Sequence, residues 1–269
     1  MRNVLSTTLF SLTTLAATPA LASGGGEPKL DPLHHFLIKN YVDLSLFGVD
    51  ISISNSVVWM WAAVAACFAF FFFAFRNATV VPGRFQSLVE IFYLLVKGMV
   101  DSVIGEEGKK FFPGILTLFF FVMFCNLIGL IPGSFTSTSQ LIVTGTLAMG
   151  VFIFSTGLGF YKHGVKFLGF FVPSGLPVVL LPLMVTIEVI SYLARPVSLS
   201  VRLFANMTAG HTVLGILFFY CATLPIWGGI IPFGFSIVFN AFEIFIGLVQ
   251  AYIFTILTCV YINDAIHMH

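Results

Sequence analysis

The chain of 269 residues is 58% hydrophobic, 16% aromatic and only 9% charged, where an ordinary soluble domain carries about 25% charged residues. So little charge excludes a water-soluble fold, and 33 Phe with a mean hydropathy of +1.04 place the chain in lipid. At a net charge of +1 there is no basic stripe of the kind that neutralises phosphates, which excludes nucleic acid as a partner.

Residues 1–22 have the pattern of a cleavable signal peptide: Arg2, a moderately apolar stretch to Ala17, then Ala20-Leu21-Ala22 before Ser23. The other reading is a disordered or membrane-surface N-terminus. An outer-side segment follows over 23–54, opening with the flexible Ser23-Gly-Gly-Gly26 and continuing as a polar, amphipathic lead-in. Its adjacent His34 and His35 would face different sides of a helix, which argues against a metal pair. The membrane domain then occupies 55–269. Its first span is expected over 55–75, with Trp59 and Trp61 at the level of an aromatic belt and Arg76 beyond the far end. Over 84–103, Glu90, Lys97 and Asp101 alternate with apolar clusters at helical spacing, the pattern of an amphipathic helix on the membrane surface. Further spans are expected over 111–131, ending at Pro132-Gly133, and over 141–161, ending at Lys162-His163. Two long apolar stretches close the chain, 178–221 and 230–262, around a turn with Pro225, Gly228 and Gly229. Cys67, Cys125, Cys221 and Cys259 lie singly in apolar runs without CxxC spacing and read as small packing residues.

Loop charge sets an orientation, because basic residues are retained on the cytoplasmic side. Arg76, Arg84, Lys97, Lys109 and Lys110 crowd one connection, and Lys162 and Lys166 the next but one. The turns at 132–140 and 222–229 carry no charge. Five crossings with the N-terminus outside and the C-terminus inside satisfy this alternation and agree with a translocated signal. As one helix, 178–221 would be about 65 Å long at 1.5 Å per residue, roughly twice the hydrocarbon thickness. Pro196 could end it, yet Ser198, Ser200 and Arg202 do not form a solvated turn. A long tilted helix is therefore expected, paired with the last stretch as an antiparallel hairpin. The fold class is an all-α membrane protein of about five crossings plus one surface helix.

These two stretches hold Glu188, Arg195, Arg202, Asn206, His211, Glu243 and Gln250. Charges at membrane depth are costly and default to functional roles. Glu188, Arg195 and Arg202 are successive sevens, which drift only about 20° per step and so form one stripe. In an antiparallel hairpin, residues at equal depth have nearly constant index sums. Arg202 therefore pairs in depth with Gln250, and His211 with Glu243. His211 lies about 180° around the helix from Arg202, which suits a proton path on one face and a fixed positive charge on another. Histidine changes charge near neutral pH and, beside a carboxylate, can pass protons along a wet cavity. Arginine does not release its proton, so Arg202 can attract a partner carboxylate and block a direct leak without relaying. Arg195 reads as a structural charge snorkelling to the cytoplasmic interface. Glu188 either lines a cytoplasmic-side path or pairs with Arg195. Asn126 either bonds a neighbouring helix or contributes to conduction.

The words from Pro196-Val-Ser-Leu-Ser-Val-Arg202 through Asn206 to Gly210-His211, with Asn240-Ala-Phe-Glu243 and Gln250-Ala-Tyr-Ile-Phe, resemble subunit a of the F-type ATP synthase membrane sector. The resemblance covers nearly the whole mature chain. It implies that Arg202 meets the essential carboxylate of a rotating c-subunit ring, while two offset half-channels admit and release the transported proton. It also implies that His211, Glu243, Asn206 and Gln250 lie near the outer half-channel or the rotor interface, and Glu188 near the inner one. Many bacterial relatives carry Glu at the His211 position and His at the Glu243 position. The arrangement here is the reciprocal one of mitochondrial and alphaproteobacterial members, which preserves the chemistry. Some relatives have an acidic residue shortly after the Asn126 position, where this chain has Gly129, so the outer entrance is expected to differ.

The expected function is that of a non-catalytic, proton-conducting stator subunit. It would bind no cofactor, and its partners would be the c-ring, b-type peripheral stalk subunits, the rest of the complex and membrane lipid. The signal sequence favours a bacterial inner membrane over a mitochondrial one. The rival class is an ion-coupled secondary transporter, which more often shows inverted repeats; the halves of this chain show no self-similarity. An intramembrane enzyme is the third class. HExxH is absent, and Gly234-Phe-Ser236 is too short a match for a serine nucleophile.

Overall fold

The computed structural model describes residues 38, 40–42, 45–46, 49–50, 52–76, 79–131, 133–172 and 180–267. The signal-peptide segment and His34 and His35 lie outside the described residues. Where a polar lead-in was expected, short antiparallel strand pairs form instead: β1 (Asn40–Val42) with β4 (Ile53–Ser54), and β2 (Ser45–Leu46) with β3 (Val49–Asp50). Six α-helices follow among the described residues.

Helix α1 (Asn55–Phe75) is a charge-free apolar run with no polar side to its cylinder. Trp61, Phe68, Phe72 and Phe73 stay exposed on the chain alone, and a helix apolar all round requires lipid or protein around it. Its inner edge meets α3 (Phe112–Gly129) through aromatic rings, with Phe71 edge-on to Phe120 at 4.7 Å and Phe70 edge-on to Phe124 at 5.4 Å. Such pairs each add about 0.5–1.5 kcal/mol beyond area burial. They matter more here because lipid tails remove the hydrophobic drive between helices.

Helix α2 (Arg84–Val103) is sided: Val89, Val96, Met99 and Val100 are buried, while Lys97 and Asp101 face out. It is too charged to cross a membrane, which five other helices can do by length and composition. A 3-10 turn over Gly105–Lys110 leads into α3, the most enclosed of the bundle, where Phe119, Phe120, Val122 and Asn126 are essentially inaccessible. Helix α4 (Leu141–His163) follows a connector whose Thr136, Ser137, Thr138 and Ser139 are all buried.

The last two helices are the long ones. α5 (Leu181–Thr223) runs unbroken through Pro196, and α6 (Ile226–Ile266) through Pro232. At 43 and 41 residues they extend about 65 and 62 Å, so they cross a bilayer core of about 30 Å only when steeply tilted. The last helix starts at Ile226, not near 230, because the turn is tighter than the glycines suggest. Leu224 and Pro225 make it alone, and a Cβ at Gly229 would meet the Cys221 carbonyl oxygen at 3.2 Å.

The ends sort by charge. Lys162, near the end of α4, pairs with Glu107 at 2.5 Å, Lys109 pairs with Glu106, and His163 Nε2 donates to the Ile266 carbonyl at 3.0 Å. These contacts gather the charged connections and the end of α6 at one pole. At the other pole, Ser137 Oγ donates to the Ser56 carbonyl (3.0 Å) and Thr208 Oγ1 approaches that of Ser139 (3.5 Å), without a charged side chain in either contact.

Candidate functional site

Because α5 and α6 run antiparallel, positions matched in depth meet. Gln250, buried on α6, donates from Nε2 to the main-chain carbonyl of Arg202 at 3.0 Å. Two turns toward the uncharged pole, His211 Nδ1 lies 3.5 Å from Oε1 of Glu243, whose side chain is only 2% exposed. The space for that carboxylate comes from a missing side chain: a Cβ on Gly210 would lie 2.4 Å from Glu243 Oε1 and 2.8 Å from Cδ. Among the described residues neither carboxylate oxygen accepts a hydrogen bond, so the His211 contact is the one polar approach to this buried group.

The third side of this pair comes from the connector after α3. Thr136 Oγ1 sits 2.6 Å from His211 Nε2 and 3.1 Å from the Gly129 carbonyl oxygen. Position 129 has to be Gly for this to happen, since a Cβ there would be 2.7 Å from both Cγ2 and Oγ1 of Thr136. A cavity of about 280 Å³ adjoins the cluster, lined by Ser134, Thr136, His211, Phe218 and Asn240 among others. It is roomy enough for several waters.

Arg202 is the middle residue of α5. The depth match of Arg202 with Gln250 is met at the backbone. Gln250 bonds the carbonyl, while the Arg202 side chain is exposed on the chain alone. It shares an outward stripe with Val201, Ala205, Asn206, Ala209 and Val213. Small residues around a cation let another helix approach closely, and among the described residues no carboxylate forms an ion pair with Arg202. His211 is turned away from this stripe, toward Glu243 and Thr136.

Toward the charged pole, Arg195 Nη1 pairs with Asp264 Oδ2 at 2.7 Å, with both side chains about one-fifth exposed. The guanidinium carbon stands 5.3 and 5.4 Å from the ring centres of Tyr192 and Tyr261. The pairing of Glu188 with Arg195 is thus replaced by an ion pair across the hairpin. A carboxylate on the facing helix reaches Arg195 from the side, whereas Glu188 is two turns away along its own axis. Glu188 is left half-buried without an ion pair among the described residues. Asn126, fully buried on α3, donates from Nδ2 to the Gly247 carbonyl on α6 at 3.1 Å, the inter-helix bond that was one of its two readings. Its Oδ1 has no hydrogen-bond partner among the described residues.

Three members of the site were not singled out from the sequence. Gly210 had a signal: glycine inside a long helix is unfavourable by about 1 kcal/mol relative to alanine, so one beside a histidine at membrane depth points to a close approach. Asp264 is one of only 11 acidic residues in the chain and ends an otherwise apolar stretch. Thr136 carried no signal, being one hydroxyl in the polar run 134–140.

The ATP synthase A chain family matches residues 57–263, which includes every site residue above except Asp264. ATP synthase subunit a of Magnetococcus marinus is 58% identical over 259 residues, covering 95% of this chain and all of the relative. ATP synthase subunit a of Rhodospirillum rubrum is 48% identical over 238 residues, covering 88% of this chain and 99% of the relative. A match across most of the chain, on five apolar helices long enough to cross a membrane, makes this protein a member of the ATP synthase A chain family, a membrane component of the ATP synthase complex.

Proposed function

We propose that the chain is the proton-conducting stator subunit a of an F-type ATP synthase, itself without catalytic chemistry, in which Arg202 faces the ring carboxylate and two half-channels end on either side of it. The observation that carries this reading is the uncovered cation at the centre of α5. A guanidinium facing hydrocarbon at mid-membrane costs about 2.5–3.5 kcal/mol or more, so the exposed stripe at Arg202 and Asn206 calls for a partner surface that brings an acidic group. A c-subunit ring supplies one that gains and loses a proton. The permanent charge of Arg202 then lets the ring carboxylate pass only after it has exchanged its proton, which prevents a leak straight across.

The outer half-path is the cavity at the uncharged pole together with Thr136, His211 and Glu243, ending near Gln250 and Asn206. Glu188 lines the inner one. Asn126 holds α3 against α6 beside the outer path. Each charge crossing the whole potential releases about 2.3 kcal/mol per 100 mV, and offset half-paths convert that into rotation of the ring. Further partners in this reading are the b-type peripheral stalk and the rest of the complex. The location is a bacterial inner membrane, with the charged pole on the cytoplasmic side and residues 1–22 serving as a signal peptide.

Arg202→Ala tests the reading. ATP-driven acidification of inverted membrane vesicles is lost while the complex assembles in normal amounts. Wild-type pumping by this variant would remove the role given to the arginine.

A further inference from the structure

We propose that the Thr136 hydroxyl is the entry relay of the outer half-path, delivering protons from the cavity to His211 Nε2 and setting which ring nitrogen of His211 carries the proton. The inference rests on the proton-path reading above and adds a residue and a direction of transfer to it. The geometry is a branch point. Thr136 Oγ1 has one proton and two acceptors within reach, His211 Nε2 at 2.6 Å and the Gly129 carbonyl at 3.1 Å. His211 presents its other nitrogen to Glu243 Oε1 at 3.5 Å, and neither oxygen of that carboxylate has another hydrogen-bond partner among the described residues.

Two hydrogen-bond polarities satisfy this chain of groups, and they differ by one proton. In the first, Thr136 O–H donates to Nε2, Nδ1–H points at an ionised Glu243, and Gly129 O accepts from Ser134 Oγ, which lies 3.0 Å away. In the second, a protonated Glu243 donates to Nδ1, Nε2–H donates to Thr136 Oγ1, and the threonine proton turns to Gly129 O. Passage between them is balanced. A hydronium ion in the cavity gives a proton to Thr136 Oγ1 and becomes water as the threonine proton moves to Nε2, and the imidazolium so formed gives its Nδ1 proton to Glu243 Oε1. One proton has entered, one has reached the carboxylate, and no other group has changed charge. Water reaches the start of this chain because Thr136 and His211 both line the 280 Å³ cavity. Position 129 cannot contribute an acidic group, because Thr136 occupies the space that any side chain there would need.

The test uses the assembled complex in inverted vesicles, with Thr136 replaced by Val, Ser and Ala. Thr136→Val keeps the shape and removes the hydroxyl, and it lowers ATP-driven proton pumping about ten-fold or more, the scale of one hydrogen bond to a charged group. Thr136→Ser restores at least half of the wild-type rate. Thr136→Ala pumps faster than Thr136→Val, because it opens room for a cavity water in place of the hydroxyl, although it removes more packing. Nitrogen-15 spectra of histidine-labelled complex, with His211 identified by loss of its signals in His211→Gln, show a hydrogen-bonded Nε2 in wild type and a single tautomer in Thr136→Val. Wild-type pumping by Thr136→Val, an alanine variant slower than the valine one, or an Nε2 with the shift of an unbonded nitrogen in the wild-type complex would each overturn the relay. The wild-type spectrum, assigned with His211→Gln, decides even if no Thr136 variant assembles. Normal pumping by His211→Gln would instead sink the proton-path reading, which the spectra do not depend on.

Discussion

Gly210→Ala adds one methyl group where it interferes most with the proposed outer path. The new Cβ would lie 2.4 Å from Glu243 Oε1, and ordinary contact begins near 3.4 Å, so the carboxylate has to withdraw by about 1 Å. Glu243 is nearly inaccessible, at 2% exposed, and has little free volume to move into. The 3.5 Å approach of Oε1 to His211 Nδ1 is then lost. Misplacement of reacting atoms by 1 Å can cost about a hundred-fold in rate, so ATP-driven acidification of inverted vesicles falls by about that factor. Stability changes little, because alanine favours the helix by about 1 kcal/mol against about 1–3 kcal/mol for overpacking. Assembly, followed on native gels, therefore stays normal while pumping collapses. Adding Glu243→Asp, shorter by one methylene, relieves the clash and recovers part of the activity. Full pumping by Gly210→Ala at normal assembly would refute the claim that the histidine–carboxylate separation matters.

Asp264→Leu leaves Arg195 without its carboxylate between two tyrosine rings, and the thermal stability of the detergent-solubilised complex falls by about 1–3 kcal/mol, between the values for exposed and buried pairs. Arg195→Met combined with Asp264→Leu recovers most of that loss, and a double variant no better than the single one would show the pair is not the cause. At the charged pole, a side-chain hydrogen bond from Lys162 holds the Glu107 carboxyl below its ordinary value of 4.5. Its contribution is thus fully present above that value and is lost as pH falls through the lowered one. Hydrogen exchange in the connector 105–110 accelerates as the pH drops below about 4.5 relative to other loops, and Glu107→Gln removes this dependence; an acid-insensitive connector in the unaltered protein would contradict it.

The helices were readable because lipid imposes a simple rule: any apolar run of about 20 residues must satisfy its own backbone, and only a helix does so. The hairpin depth rule also held at the backbone, bringing Arg202 level with Gln250 and His211 level with Glu243. It did not show which way a side chain turns. Level with Gln250, the arginine bonds it only through its carbonyl, and its side chain lies exposed on an outward stripe. Contacts from outside the hairpin were illegible for another reason: the seven-residue stripe joined Glu188 to Arg195 along one helix, while the actual partner, Asp264, comes from the other. Thr136 reaches the site through a connector folded back on itself with Gly133 at a φ of 89°, and no periodicity encodes such a path. The strand pairs before α1 escaped notice because each strand has only two or three residues.

The central claim is that the stripe bearing Arg202 and Asn206 lies against the rotor. It is tested most directly by disulfide trapping in native membranes, with Cys67, Cys125, Cys221 and Cys259 replaced, Asn206→Cys introduced, and a cysteine placed beside the ring carboxylate. Oxidation should join the two subunits and stop ATP-driven pumping until a reductant is added, whereas Ile153→Cys, exposed on α4, should not cross-link. No bond from position 206, or a bond from position 153 in its place, would contradict the rotor-facing assignment.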